Sequence, residues 1–455
     1  MAQPLFGPSL RGLLAAFAGD SVLKLLGFAA TLITLHTMGP YQYGFWQLLL
    51  SVSVAFGVVT FPSISNMLVA DISREIGAGN VRRANGIVVK SSFIFVSTAA
   101  LGAVAMFIAA PFIHELSNID VTSLLRVLSL SVFAIGLKQV SQMLLRVHLQ
   151  FVHAQTMKAI DRFAYLLALA FFLLYMGMSF EGLVYAYVVS SFTSVILYAP
   201  YIGKMLLQSF RNHEKSEWKP LLDAAWVRGR WALGGDVVDT AIGSLWPWLI
   251  GFFLGVETVG IISVAVLLLA QAAAFVPVPY ILRSVLPRTV ETPERLREWI
   301  TRSMKFSMWG NMLSGLLAFA ACSIIFPLWF PHHLAALGLF SVLIITLPLR
   351  GISSTAAEWF FATGRQKELF LVSSLPKLAM YALMPLALYF GGVAGYVVWY
   401  VLNTDLLMFV RLRTIVRTQG SPIPLSFFLR PDATDAELFT RARRLIVGKL
   451  KQLFV

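Results

Sequence analysis

Cysteine is nearly absent: Cys322 is the single one in 455 residues, and it stands in an apolar stretch. That excludes an intramolecular disulfide and a cysteine-built metal site. Charge is scarce as well, at 13%, and acidic charge scarcest, with 22 Asp and Glu against 36 Lys and Arg. No Gly-x-x-x-x-Gly-Lys-Ser/Thr loop occurs and no polar stretch is large enough for a hydrolysing domain, so ATP is excluded as a direct energy source. The histidines do not make a metal centre. His148 and His153 do not share a helical face, His114-Glu115 lacks the second histidine of a zinc-protease helix, and His332-His333 fall in a loop.

What fills the chain instead is hydrocarbon. Hydrophobic residues make up 58% and the mean hydropathy is +0.77, more apolar surface than a soluble domain of this length can bury. The solvent for that surface is lipid. Twelve segments are each long enough for a span of about 20 residues. They fall near 13 to 36, 44 to 67, 88 to 112, 121 to 146, 158 to 178, 181 to 206, 229 to 253, 257 to 282, 303 to 328, 334 to 361, 368 to 390 and 392 to 412. The first is too long for a cleaved signal peptide and carries Asp20 and Lys24, so it reads as a true helix.

The connections alternate in charge. One set carries Arg74, Arg82, Arg83 and Lys90, then Arg146, Lys158 and Arg162, then Lys204 to Arg230, then Arg283 to Lys305, then Arg365 and Lys367. The other set, around Gly39 to Tyr43, His114 to Asp120, Gly177 to Ser179, Gly255 to Glu257, Pro331 to His333 and Gly391 to Gly392, holds no Lys or Arg. Positive charge is retained on the cytoplasmic side, so both termini are expected there. The same placement accounts for the net charge of +14 with membrane lipids, not nucleic acid, as the partner.

The chain also repeats. Gly19-Asp20, Val22, Gly27, Gly39 and Gly44 recur as Gly235-Asp236, Val238, Gly243, Gly255 and Gly260, a shift of 216. Pro111 matches Pro327 at the same shift, Arg74 and Arg83 match Arg288 and Arg297 at 214, and Leu137-Lys138 with Ser141 match Leu349-Arg350 with Ser353 at 212. The expected organisation is an N-lobe over 1–215, a linker over 216–228, a C-lobe over 229–415 and a cytoplasmic tail over 416–455. Six spans in each half make the repeats parallel, related by an axis along the membrane normal. In the tail, Thr434 and Glu437 can form a capping box for a basic amphipathic helix that lies on an anionic leaflet or packs against the mouth of the bundle.

The Gly19-Asp20 pair in the first helix, the Met38-Gly39-Pro40-Tyr41-Gln42-Tyr43-Gly44 turn, the basic loop after the second helix and Gly182-Leu183-Val184-Tyr185-Ala186-Tyr187 opening the sixth are together informative. Over about residues 10 to 415 they resemble the polysaccharide transporters, the O-antigen flippase-like branch of the multidrug/oligosaccharidyl-lipid/polysaccharide (MOP) exporter superfamily. In the second half the turn is degraded, Val256 and Val259 replacing Pro40 and Tyr43. The resemblance implies an all-α polytopic membrane protein with two pseudo-symmetric six-helix lobes in a V around a central cavity. It also implies a flippase that moves undecaprenyl-diphosphate-linked oligosaccharide from the inner to the outer leaflet of the bacterial inner membrane. A glycan polymerase or glycosyltransferases would be its partners.

Such work calls for cations and hydrogen-bonding groups inside the spans, where each charge costs at least ~2.5 kcal/mol. The expected cavity cations are Lys138 and its repeat equivalent Arg350, with Lys377 and Lys24. Asp20, Asp236, Asp239 and Glu358 are the candidates for a gate or an ion-coupling site, with Na+ or H+ as the coupling ion and no cofactor. Each has a plainer reading. Asp20 and Lys24, at i and i+4, can neutralise each other; Lys138 and Arg350 can snorkel to the interface; Glu358 can pair with Lys377; Asp236 and Asp239 can bond to helix ends or basic residues; Asp405 reads as structural. Pro62, Pro247, Pro277 and Pro279 can serve as hinges or as packing kinks. The competing functions are a drug/cation antiporter of the same superfamily, which needs a more acidic cavity, and a membrane enzyme of glycan assembly. An enzyme needs a sizeable outer domain, and every outer loop is short.

Overall fold

The computed structural model describes residues 8–58, 62–117, 121–213, 219–276, 278, 282, 293–420 and 427–428, with side chains from Leu23 in the first helix and from Arg230 in the eighth. Every regular element among them is helical. The N-lobe comprises α1 (Pro8–Thr37), α2 (Pro40–Gly57), α3 (Pro62–Gly77), α4 (Val81–Ser117), α5 (Thr122–Val147), α6 (Phe151–Leu169, prolonged by a π turn at Ala170–Tyr175) and α7 (Phe180–Arg211). The C-lobe comprises α8 (Lys219–Leu254), α9 (Val256–Ala274), α10 (Pro293–Trp329), α11 (Leu334–Leu343), α12 (Leu347–Ala362) and α13 (Gln366–Gln419).

All twelve apolar segments are helical where described, but not all are single rods. The second is divided between α2, which ends at Gly57, and α3, which starts at Pro62. The tenth is α11 and α12 joined through a 3₁₀ turn at Ile344–Thr346. The eleventh and twelfth share the 54-residue α13, far more than one span needs. Gly392, at φ 56° and ψ −134°, lies in a region that side chains avoid, and there α13 folds back on itself. The hairpin shows in its bonds: Trp399 Nε1 donates to Met380 O at 2.6 Å, and Arg411 Nε donates to Ser373 Oγ at 3.0 Å.

Packing repeats between the halves. In the N-lobe α4 packs on α5, α1 on α6, α6 on α7 and α5 on α7; in the C-lobe α10 packs on α12, α8 on α13 and α12 on α13. The lobes meet through α2 against α9 and α8, and through α3 against α8. The closest point is at the end of the molecule that carries the lysine- and arginine-free turns, called here the turn end. A Cβ built on Gly44 would stand 2.0 Å from Val256 O, and one built on Gly260 would stand 1.8 Å from Pro40 O, so only hydrogen fits between these two backbones. Nearby, buried His333 is hydrogen-bonded through Nε2 to Met38 O at 2.8 Å, and Trp248 Nε1 donates to Ser51 Oγ at 2.8 Å.

The buried apolar side chains follow the same plan. At the turn end one continuous core joins both lobes, with Phe45, Trp46 and Leu125 on one side and Ile262, Phe326 and Phe340 on the other. Towards the opposite, basic end it forks. One branch runs through Leu68, Val88, Met143 and Met205 of the N-lobe, the other through Ile300, Met304, Trp359 and Ile415 of the C-lobe. The molecule is a V, closed at the turn end and parted at the basic end.

The side chain of Asp20, Pro277, Pro279 and the tail helix expected after Thr434 lie outside the described residues. Of the tail, Phe427 and Phe428 dock on the basic end of α10. Trp309 Nε1 donates to Phe428 O at 2.9 Å, Lys305 Nζ stands 4.6 Å from the Phe427 ring centroid, and Phe428 is buried in the C-lobe core. Phe428→Ala is therefore expected to destabilise the protein by on the order of 3 kcal/mol through the cavity it leaves. Thermal unfolding in detergent reads this as a lowered midpoint; an unchanged midpoint would detach the tail from the C-lobe core.

Candidate functional site

Within the N-lobe, facing α9 of the C-lobe, lies a cavity of about 770 Å³. Its wall is mostly N-lobe: α1, α2, α5, α6 and α7, completed by Leu267 and Gln271 of α9. Lys158, Asp161 and Arg162 fall at i, i+3 and i+4 on α6, so helical periodicity turns all three to one side. Lys24 comes from α1 and Lys138 from α5 to join them. Lys138 Nζ is 2.5 Å from Asp161 Oδ1, and Ser194 Oγ of α7 donates to the same oxygen at 3.3 Å. One carboxylate thus ties three helices together. Lys24, Lys138, Lys158 and Arg162 share the lining with it, so the lining residues are more basic than acidic.

The cavity is polar in two different ways along its depth. Nearer the turn end the lining is Thr31, Thr34, Tyr43, Trp46, Gln47 and Tyr187, aromatic and hydrogen-bonding but uncharged. Trp46 and Tyr187 rings meet edge-on at 5.9 Å, and Tyr165 meets Tyr187 at 6.3 Å. Tyr43 and Trp46 are buried whereas Arg162 is exposed, so the mouth is on the basic side.

The C-lobe offers a different site. A cleft of about 180 Å³ is lined by Trp231, Asp236, Asp239, Phe370, Ser373, Ser374 and Arg411 among others. Lys377 Nζ pairs with Asp239 Oδ1 at 2.6 Å, and half-buried Arg411 donates to Ser353 O, Ser353 Oγ and Ser373 Oγ at 2.9–3.0 Å.

Of the residues singled out from the sequence, Lys24 and Lys138 therefore line the N-lobe cavity, and Asp236 and Asp239 line the C-lobe cleft. Arg350 is not in either lining; its Nη1 donates to Tyr400 OH at 3.1 Å. Glu358 is buried in α12, and the pairing expected between it and Lys377 is replaced by Asp239, which the packing of α8 on α13 brings alongside. Asp405 is half-buried in the second arm of the α13 hairpin. Lys158, Asp161 and Arg162 were legible only as charges bordering the fifth span. Because α6 starts at Phe151, they sit two turns inside a helix, and their i, i+3, i+4 spacing is the signal that marks the face.

Comparison with solved structures places this V among known transporters. An inward-facing multidrug resistance MATE family transporter of the MOP superfamily superposes with a TM-score of 0.68 at 15% identity, over 89% of this chain and 99% of that one. A MOP superfamily transporter from Pyrococcus furiosus, described as having a binding pocket of reversed polarity, gives 0.60 at 15% identity over 91% and 96%. The Vibrio cholerae MATE transporter VcmN in its bent form gives 0.57 at 13% identity over 90% and 99%. No curated protein matches the chain. The fold is the one these MOP superfamily transporters share. The family model described as polysaccharide biosynthesis protein matches residues 49–321, and the chain belongs to that family.

Proposed function

We propose that this protein is a flippase. It takes an undecaprenyl-diphosphate type lipid-linked oligosaccharide from the leaflet at its basic end and delivers it to the leaflet at its turn end, for surface polysaccharide biosynthesis. The observation that carries this reading is the cavity lining itself: four basic residues and one carboxylate, in a wall where each charge costs ~2.5–3.5 kcal/mol. That expense is repaid by an anionic cargo such as a diphosphate, for which lysine and arginine are the natural donors. Lysine and arginine concentrated at the basic end support a cytoplasmic position for that end and for both termini, in a bacterial inner membrane. The work is transport and not catalysis, and its coupling to Na+ or H+ falls to Asp236 and Asp239 in the C-lobe cleft. Enzymes that build the glycan supply the cargo, and a polymerase consumes it.

A drug antiporter is the second reading, favoured by the fold of the MATE structures above. An organic cation would have to enter a cavity whose excess charge is positive, which costs affinity at every step. Deletion of the gene, in a strain lacking paralogues, is expected to leave lipid-linked glycan in the inner leaflet and to remove it from the cell surface, read by lectin labelling and by lipid extraction. Normal surface glycan in that strain, or drug sensitivity with intact glycan, would overturn the flippase.

A further inference from the structure

The cavity's two kinds of polarity are separated along the membrane normal, and from this we infer that the cargo is held in one orientation, sugar first, with an uncharged sugar on the floor. The inference rests on the flippase reading and adds to it a second subsite and a constraint on the glycan.

Depth follows from helix geometry at 1.5 Å per residue. On α1, Lys24 and Thr34 are about 15 Å apart along the axis; on α6, Lys158 and Tyr165 are about 10 Å apart. On both helices the cation is nearer the basic end. Lys138 lies about 14 Å from the basic end of α5, at a depth comparable to that of Lys158 and Arg162. The other helices agree. α2 starts at the turn end, so Tyr43, Trp46 and Gln47 lie within its first two turns or so, and α7 places Tyr187 two turns from the same end. A ring of cations near mid-depth is therefore followed by a floor of Tyr43, Trp46, Gln47 and Tyr187, none of them charged.

Each subsite selects a chemistry. The cation ring suits the diphosphate linkage, with Asp161 as the counter-ion the phosphate displaces from Lys138. The floor combines aromatic faces, which pack against the C–H surface of a pyranose, with the Gln47 amide, which donates to and accepts from hydroxyl groups. An acidic sugar would bring to the floor a carboxylate with no cation to meet it, and leaving a buried charge unpaired is costly. The sugar attached to the lipid is thus neutral, and the prenyl chain, beyond the phosphates, stays on the mouth side in the leaflet from which the cargo came.

The test uses purified full-length protein in lipid nanodiscs and two ligands: a prenyl diphosphate, and the same lipid bearing one N-acetylglucosamine. Wild-type protein is expected to bind the sugar-bearing lipid at least about tenfold more tightly, a difference of about 1.4 kcal/mol. Gln47→Leu and Tyr187→Phe are expected to bring that ratio near one through the sugar-bearing lipid alone. Lys138→Gln and Arg162→Gln are expected to weaken both ligands and keep the ratio. A ratio near one in wild type, or one untouched by both floor variants, overturns the inference while binding of the bare diphosphate leaves the flippase reading standing. Wild-type protein that binds neither lipid overturns both.

Discussion

Leucine at Gly44 or Gly260 is expected to hold the lobes apart at the turn end and to cut transport at least about tenfold, each 1.4 kcal/mol lost from closure being one factor of ten. The atoms that a new Cβ would meet are backbone: Val256 O at 2.0 Å and Gly260 N at 2.7 Å from Gly44, and Pro40 O at 1.8 Å from Gly260. Backbone cannot swing away as a side chain can, and ordinary overpacking already costs about 1–3 kcal/mol. The closed turn end would be lost in favour of a state in which α2 and α9 stand apart. Spin labels on Tyr41→Cys and Glu257→Cys, both exposed near the seam, report the distance once buried Cys322 is replaced by serine. An unaltered distance distribution in Gly44→Leu would remove this contact from the closure.

Charge reversal at Lys138 is expected to have an effect at least as large. Lys138→Glu sets two carboxylates side by side, since Asp161 Oδ1 is 2.5 Å from the amine, and it turns the strongest part of the cation ring against a diphosphate. Transport in proteoliposomes should fall below detection. Asp161→Asn separates a cargo site from a mere structural pair. If the pair only braces α5 against α6, both substitutions lower diphosphate binding; if Lys138 holds cargo, the asparagine raises it, because a competing anion is gone. Arg350→Gln, whose guanidinium is engaged by Tyr400 outside the cavity lining, should leave diphosphate affinity near that of wild type. Equal losses in Lys138→Glu and Arg350→Gln would mean that matched position in the two repeats, and not lining of the cavity, decides the role.

Much of the architecture was legible because lipid enforces simple rules. Every span must satisfy its own backbone, so segments such as 88 to 112 and 181 to 206 announce α4 and α7 by hydropathy alone. The shift of 216 paired Gly44 with Gly260 without showing that they touch, since a repeat gives equivalence and not distance. Lys138 stood out as a cation inside a span at a position matched by Arg350 in the second repeat. Lys158 and Arg162 did not, because at the ragged start of the fifth span a helical cation and a loop cation look alike to a hydropathy window. Lys377 was visible but its partner was not: Asp239 is 138 residues away, and which helix lies beside which is set by packing across the lobe. Gly391-Gly392 looked like an ordinary short turn, and the structure shows it to be the only interruption of a 54-residue helical run.

The contact at the turn end has the form of a dimer interface. Gly44 approaches the carbonyl of Val256 while Gly260 approaches that of Pro40, and Val256 is to the second repeat what Pro40 is to the first. Residue i meets j as the equivalent of j meets the equivalent of i, the reciprocity that a two-fold axis imposes on identical subunits. Here the subunits are two halves of one chain, no longer identical, yet the seam still obeys the rule. A side chain added to one half therefore strikes the other half's copy of the same turn. Such a contact is one that a six-helix ancestor, pairing with itself before its gene was duplicated, would have used.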